Sequence, residues 1–165
     1  MSQNLLAEIF SLSKNLVETA RAQNKTLATA ESCTGGLIGA AITATSGSSS
    51  VFHGGIIAYH NDVKISHLSV APSSFEKDGA VSEAVAIQMA KGCREQLGVD
   101  IAISVTGIAG PSGGSPKKPV GTVWIGLATS SQASATLYNF PEMSRNKVRD
   151  HACLAALRTF RETLS

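Results

Sequence analysis

The sequence predicts an α/β protein: a three-layer α/β/α sandwich built on a mixed, mostly parallel central sheet. Three observations point there. Apolar residues alternate along the chain between helical spacing and short strand-like runs. Two of those runs, DIAISVTG at 100–107 and VGTVWIGLATS at 120–130, are nearly continuous, the pattern of strands covered on both faces. And 165 residues that are 43% hydrophobic, with a mean hydropathy of +0.11, suffice for one sizeable core, so residues 1–165 are read as a single domain.

Each element has its own signal. Leu5, Ile9, Leu12, Leu16 and Ala20 recur at helical spacing and predict an amphipathic helix at the start of the chain. The run 26–31 reads as a short strand and LIGAAITAT at 37–45 as a helix. SGSSS at 46–50 is a loop, and GGIIAYH at 54–60 a second strand. Asn61 suits the N-cap of a short helix ending at Leu68, after which a loop passes Pro72 and Gly79. Ser82 caps a longer helix with Val85, Met89, Cys93 and Leu97 on one stripe, and Gly98 stops it. Beyond the two central strands, SATLYNF at 134–140 reads as an edge strand. A last helix starts near Ser144, and Val148, Ala152, Ala156, Phe160 and Leu164 form the stripe that covers the sheet.

Composition excludes several functions. Fourteen basic against 12 acidic side chains leave a net charge of +2, too small an excess for a nucleic-acid footprint. Glu8, Lys14 and Glu18 interrupt the apolar pattern of the N-terminus, which is therefore neither a signal peptide nor a membrane span. A cytoplasmic protein with no membrane partner is expected. Cys33, Cys93 and Cys153 are odd in number and far apart, which fits reduced thiols and makes no metal pair. His53, His60, His67 and His151 make no metal set either. Phe10 and Val17 give the first helix apolar residues to spare, a surface for a homo-oligomer.

Chemistry concentrates where TLATAESCTGGLIGA, residues 26–40, passes from strand to helix. The first N–H groups of a helix lack intrahelical partners and carry partial positive charge, so an anion or a developing oxyanion is stabilised there. Ser32, Cys33 and Thr34 stand at that point, and Gly35 and Gly36 allow a positive φ or a close approach by substrate. Simple capping by Ser32 or Thr34 also fits this turn. In GGIIAYHNDVKISHL, Tyr59 ends a strand and Lys64 lies about one turn into the next helix. A helix N-terminus and partial burial both lower a lysine pKa, as a general base requires. The same spacing also fits a solvated lysine and a tyrosine capping the core.

Two further stretches carry candidates. TGIAGPSGGSPKKPVGTVW, 106–124, follows a buried strand; it matches neither the P-loop nor the dinucleotide fingerprint, and reads either as a flexible loop over a cleft or as a long hairpin connection. Thr106, Gly107 and Gly110 would border that cleft. Arg145, Lys147 and Arg149 crowd the first turn of the last helix, where the dipole disfavours cations. Arg145 and Arg149, four apart, could grip one phosphate, or could belong to an exposed basic face offset by Glu142 and Asp150.

AESCTGG at 30–36, Tyr-x-Asn-x-x-Lys at 59–64, AVSE at 80–83 and GIAGPSGGSPKKPVGTVW at 107–124 occur in that order. With them the chain resembles the CinA C-terminal domain family over nearly all its length after the first helix. The resemblance implies hydrolysis of the carboxamide of nicotinamide mononucleotide to nicotinate mononucleotide and ammonia, without a metal; no cofactor is expected, and the partner is this small nucleotide. It also implies a serine nucleophile at Ser32 assisted by Lys64 and Tyr59. The residues expected to contact substrate are Cys33, Thr34, Gly35, Gly36, Thr106, Gly107, Gly110, Arg145 and Arg149. Longer relatives carry a second domain in front, and this chain is expected to lack it. His60 stands where the family usually has Ser or Thr, Ser112 where some members have Asp, and Ser69 where Gly is common. FPEMSR differs from the usual FPGDR by one extra residue and lacks its Asp, which bears on the phosphate role of Arg145. Two rivals remain: Cys33 as nucleophile with His53 or His60 as base, and a nucleotide-sensing or partner-binding module without turnover.

Overall fold

In the structure, a computed structural model that describes residues 3–165, the apolar stripes gather on the two faces of one five-stranded sheet. The elements in chain order are α1 (Gln3–Ala22), β1 (Leu27–Glu31), α2 (Leu37–Thr43), a 3₁₀ turn at Ser48–Ser50, β2 (Phe52–Ile57), α3 (Asn61–Leu68), α4 (Pro72–Asp78), α5 (Glu83–Leu97), β3 (Ile101–Gly107), β4 (Thr122–Ala128), β5 (Ala133–Asn139) and α6 (Arg145–Thr163). The three-layer α/β/α expectation holds. The sheet order is β2-β1-β3-β4-β5; β1 is parallel to β2 and β3, and β4 is antiparallel to β3 and β5. Only β4 therefore runs against the other strands.

Side chains on the strands alternate between the two faces. Leu27, Ile101, Ile103, Val105, Val123 and Ile125 meet α1, α2 and α6 in the larger core, where Leu16, Val17, Ala156 and Phe160 are fully buried. Ala28, Ala30 and Ala102 meet Leu68 of α3 and Val85, Met89 and Cys93 of α5 on the other. The small residues let α5 lie close. The close approach of α5 to the end of α3 in turn requires glycine at position 92, since a Cβ there would stand 1.9 Å from the Leu68 carbonyl oxygen. No helix of the described residues is long and apolar enough to cross a membrane.

Several boundaries differ from expectation. A helix, α4, occupies the stretch expected as a loop; Pro72 starts it, and it buries no residue, so it shows no apolar stripe. The second strand runs Phe52–Ile57 because its register against Leu27–Glu31 ends there, and Tyr59 lies beyond it. His60, not Asn61, is the N-cap of α3, its ring accepting from the Asp62 amide. Ser69 takes a left-handed φ of 54°, the reason glycine suits this position. Ser82 and Gly98 cap α5 as expected. On α1, Val17 is wholly buried and leaves Phe10, 46% exposed, as the surface residue.

Candidate functional site

From β1 the chain crosses to β2 through α2, on one face of the sheet, and returns to β3 through α3, α4 and α5 on the other. Crevices form at the carboxyl ends of strands where connections diverge in this way. The Ser32 amide continues the ladder beyond β1 by donating to the Val105 carbonyl at 2.9 Å, which fixes where the nucleophile candidate leaves the sheet. A crevice of about 220 Å³ opens there, lined by Ser32, Cys33, Tyr59, Asn61, Lys64, Ala80, Val81, Thr106, Gly107, Ala109 and Arg145.

Neither Ser32 nor Thr34 caps α2. The N-cap is Gly36, in left-handed conformation at φ 95°, and the first-turn donors belong to Glu31. Its carboxylate, 1% exposed, accepts from the amides of Gly36 (2.9 Å), Ile38 (3.2 Å) and Gly39 (2.8 Å) and from the Thr29 hydroxyl (3.3 Å). The anion expected at this helix start is thus one of the protein's own, and the α2 terminus has no donors left for a ligand. Gly35, also at positive φ, is exposed beside Arg149.

Lys64 lies in the first half of α3 and is 1% exposed. Its Nζ donates to the Tyr59 carbonyl at 3.2 Å, and among the described residues no carboxylate pairs with it. Burial lowers its pKa from 10.5, opposed by the nearby Cys33 sulfur. Tyr59 therefore meets the lysine through its main chain. Its phenol, on a side chain 61% exposed in all, accepts from Arg145 Nη2 at 2.7 Å.

The two arginines do not form the paired phosphate grip that their spacing suggested. Arg145 Nη1 donates to the Gly110 carbonyl at 2.8 Å, so this side chain braces the rim between Tyr59 and the glycine-rich loop. Arg149 turns inward, with Nε on the Cys33 carbonyl at 3.1 Å and Nη2 on the Thr34 carbonyl at 2.8 Å. Its fork is filled by the backbone. Thr34 is fully buried and does not line the crevice.

The opposite wall rests on β3 and the 108–121 loop. Thr106 Oγ1 donates to the Ala80 carbonyl at 2.8 Å. Gly107 is a close approach: a Cβ there would lie 2.7 Å from Val123 and 3.1 Å from Cys33 Sγ. Lys118 straps the loop down, its Nζ donating to the carbonyls of Asp78 and Val81. Sequence reasoning missed Glu31, Asn61, Ala80, Val81, Ala109 and Lys118. Of these, Asn61, Ala80, Val81, Ala109 and Lys118 stand within the motifs quoted above without being singled out for the site, and Glu31, the carboxylate just before Ser32, offered a signal of its own, an acid at a strand-to-helix turn. Replacing Lys118 by Met removes both bonds, so stability should fall by about 1–3 kcal/mol, and amide exchange should quicken at Gly79–Val81, as hydrogen-exchange mass spectrometry would read.

Fold and crevice together define an α/β protein with a hydroxyl and a buried amine at the carboxyl end of its sheet. The chain belongs to the CinA C-terminal domain family, whose model matches residues 9–164. A CinA-like protein of Salinibacter ruber is 49% identical over 150 residues, covering 91% of this chain and 36% of that protein. One from Citrifermentans bemidjiense is 43% identical over 169 residues, covering 99% and 41%. The chain thus spans little more than a third of the length of these relatives. Among solved structures, the competence/damage inducible protein CihA of Agrobacterium tumefaciens superposes with a TM-score of 0.92 at 35% identity, covering 95% of each chain. A CinA superfamily protein of Escherichia coli gives 0.91 at 31%, covering 99% of this chain and 93% of that one.

Proposed function

We propose that the crevice hydrolyses the carboxamide of nicotinamide mononucleotide, giving nicotinate mononucleotide and ammonia. One observation carries the reading: Lys64 is buried without a counter-ion in the crevice that Ser32 lines. A buried ammonium with no paired carboxylate among the described residues is costly, so the amine gives up its proton more readily than an exposed lysine does, as a base of this kind requires.

Lys64 Nζ takes the proton of Ser32 Oγ as that oxygen bonds to the carboxamide carbon. The tetrahedral intermediate collapses, the C–N bond breaks, and the leaving amine departs as ammonia with the proton from Lys64. Water then gives a proton to Lys64 as its oxygen attacks the acyl ester; the ester C–O bond breaks, Ser32 Oγ takes that proton from Lys64, and the acid is released. Tyr59 orients the lysine through its carbonyl. The crevice, smaller than the about 300 Å³ at which ordinary ligand pockets begin, suits the pyridine carboxamide, with the ribose phosphate reaching over the rim toward Arg145.

A thiol mechanism is disfavoured. Burial pushes the Cys33 pKa up to about 12, and no histidine lines the crevice among the described residues. His60 holds the Asp62 amide instead, and His53 lies against the Leu97 carbonyl. The test is ammonia release from nicotinamide mononucleotide by the pure protein over a broad pH range, with a Cys33→Ala control. Turnover retained by that control supports the serine, whereas no ammonia from the wild-type chain favours a binding module without turnover.

A further inference from the structure

We infer that Arg149 is a positioning residue that sets the oxyanion donor of this site, not a ligand of the substrate phosphate. The inference rests on the amidase reading above.

It follows from where the backbone donors of the turn go. Ser32 N–H donates to Val105, Gly35 N–H to the Ser32 carbonyl at 3.1 Å, Leu37 N–H to the Thr34 carbonyl at 3.4 Å, and the amides of Gly36, Ile38 and Gly39 to Glu31. From Ser32 to Gly39 this leaves only the amides of Cys33 and Thr34 without an acceptor elsewhere in the described residues. Thr34 is fully buried and does not reach the crevice, whereas Cys33 lines it. The Cys33 sulfur stands on the side of Gly107, 3.1 Å from where a Cβ would lie there. The Cys33 amide is thus a main-chain donor next in sequence to the nucleophile.

Arg149 controls the direction of this donor through two peptide planes. In a trans peptide C=O and N–H point opposite ways. Holding the Thr34 carbonyl aims the Gly35 N–H of the same plane at the Ser32 carbonyl. That bond in turn orients the Ser32–Cys33 plane, so the Cys33 N–H points away from Gly35. The second arm of the guanidinium, on the Cys33 carbonyl, locks the intervening plane. Nε and Nη2 sit in one rigid plane and hold each carbonyl from its own nitrogen, whereas the shorter lysine would have to bring both carbonyls onto a single nitrogen, so it is a poor substitute.

The experiment compares kcat and KM of wild type, Arg149→Lys and Arg149→Ala on nicotinamide mononucleotide and on nicotinamide riboside, which lacks the phosphate. The expected result is a kcat lower by about 10²-fold, as for loss of one oxyanion donor, equal on both substrates, with KM little changed and partial rescue of Arg149→Ala by added guanidinium. A variant with full kcat and a KM raised only for the phosphorylated substrate overturns the inference and makes Arg149 a phosphate ligand. Should either variant fail to fold, semisynthesis decides the point: replacing the Cys33 amide N–H by an ester oxygen must lower kcat by about 10²–10³-fold, and unchanged kcat overturns the proposal. A wild-type protein that releases no ammonia ends the amidase reading and this inference together; a working wild type with an indifferent Arg149→Lys ends only the inference.

Discussion

Lys64→Met should lower ammonia release from nicotinamide mononucleotide by at least about 10³-fold, and Ser32→Ala by as much, while both proteins stay folded. A factor of 10³ is about 4 kcal/mol of transition-state stabilisation. In the proposed mechanism base and nucleophile act on one proton, so the double variant should be hardly worse than either single one. Methionine fills nearly the volume of the lysine stem and removes a buried amine that has no counter-ion, so its cost to stability is confined to the lost bond to the Tyr59 carbonyl. Near wild-type turnover in either single variant would refute the dyad.

The pH dependence separates chemistry from folding. Burial lowers the Lys64 pKa from 10.5 in the folded protein, so between the folded and unfolded values the unfolded chain binds more protons. Stability contributed by this residue therefore rises with pH across that window and is lowest below the folded pKa. Activity should rise with pH over the same limb if the proposed mechanism holds, because in it the neutral amine is the working form. Lys64→Met should remove that contribution to the stability profile, and paired urea denaturation of the two proteins at several pH values reads it. A wild-type rate that falls as pH rises from neutrality toward the ordinary lysine range would contradict a lysine base.

Much of the fold is legible in the sequence because burial leaves a period. The stripe Val148, Ala152, Ala156, Phe160, Leu164 announces α6, and each of those side chains is buried. Helix α4 buries none and so leaves no period to read. The site is legible in a different degree. A hydroxyl and an amine at strand ends can be placed from strand and helix limits alone, and both do line one crevice. The fates of Glu31 and Arg149 could not be placed that way. Glu31 serves amides five to eight residues onward only because strand alternation turns its side chain toward α2, and a spacing of four puts Arg145 and Arg149 on one face without saying which carbonyls fill their forks. Lys118 reaches carbonyls some 40 residues back, a contact that only the closed loop creates.

Glu31→Gln should be a strongly destabilising change although it is isosteric. Oε2 accepts from the Gly36 and Ile38 amides, and Oε1 from the Gly39 amide and the Thr29 hydroxyl. A carboxamide keeps one of these oxygens and puts an NH₂ in place of the other. Either rotamer then faces donor against donor: one sets the NH₂ against two amides, the other against the Gly39 amide, since the Thr29 hydroxyl can turn to accept. Each buried donor left without an acceptor costs about 1–3 kcal/mol, and the negative charge that favours the α2 terminus is lost as well. A loss of about 2–4 kcal/mol corresponds to a melting temperature lower by roughly 5–15 °C in a chain of this size. Differential scanning calorimetry would check it, and a shift within about 2 °C of wild type would show that the carboxylate does not hold this turn. Ser32 lies between Glu31 and Gly36, the two ends of the bond at risk, so in the proposed mechanism kcat should fall even at temperatures where the variant is still folded.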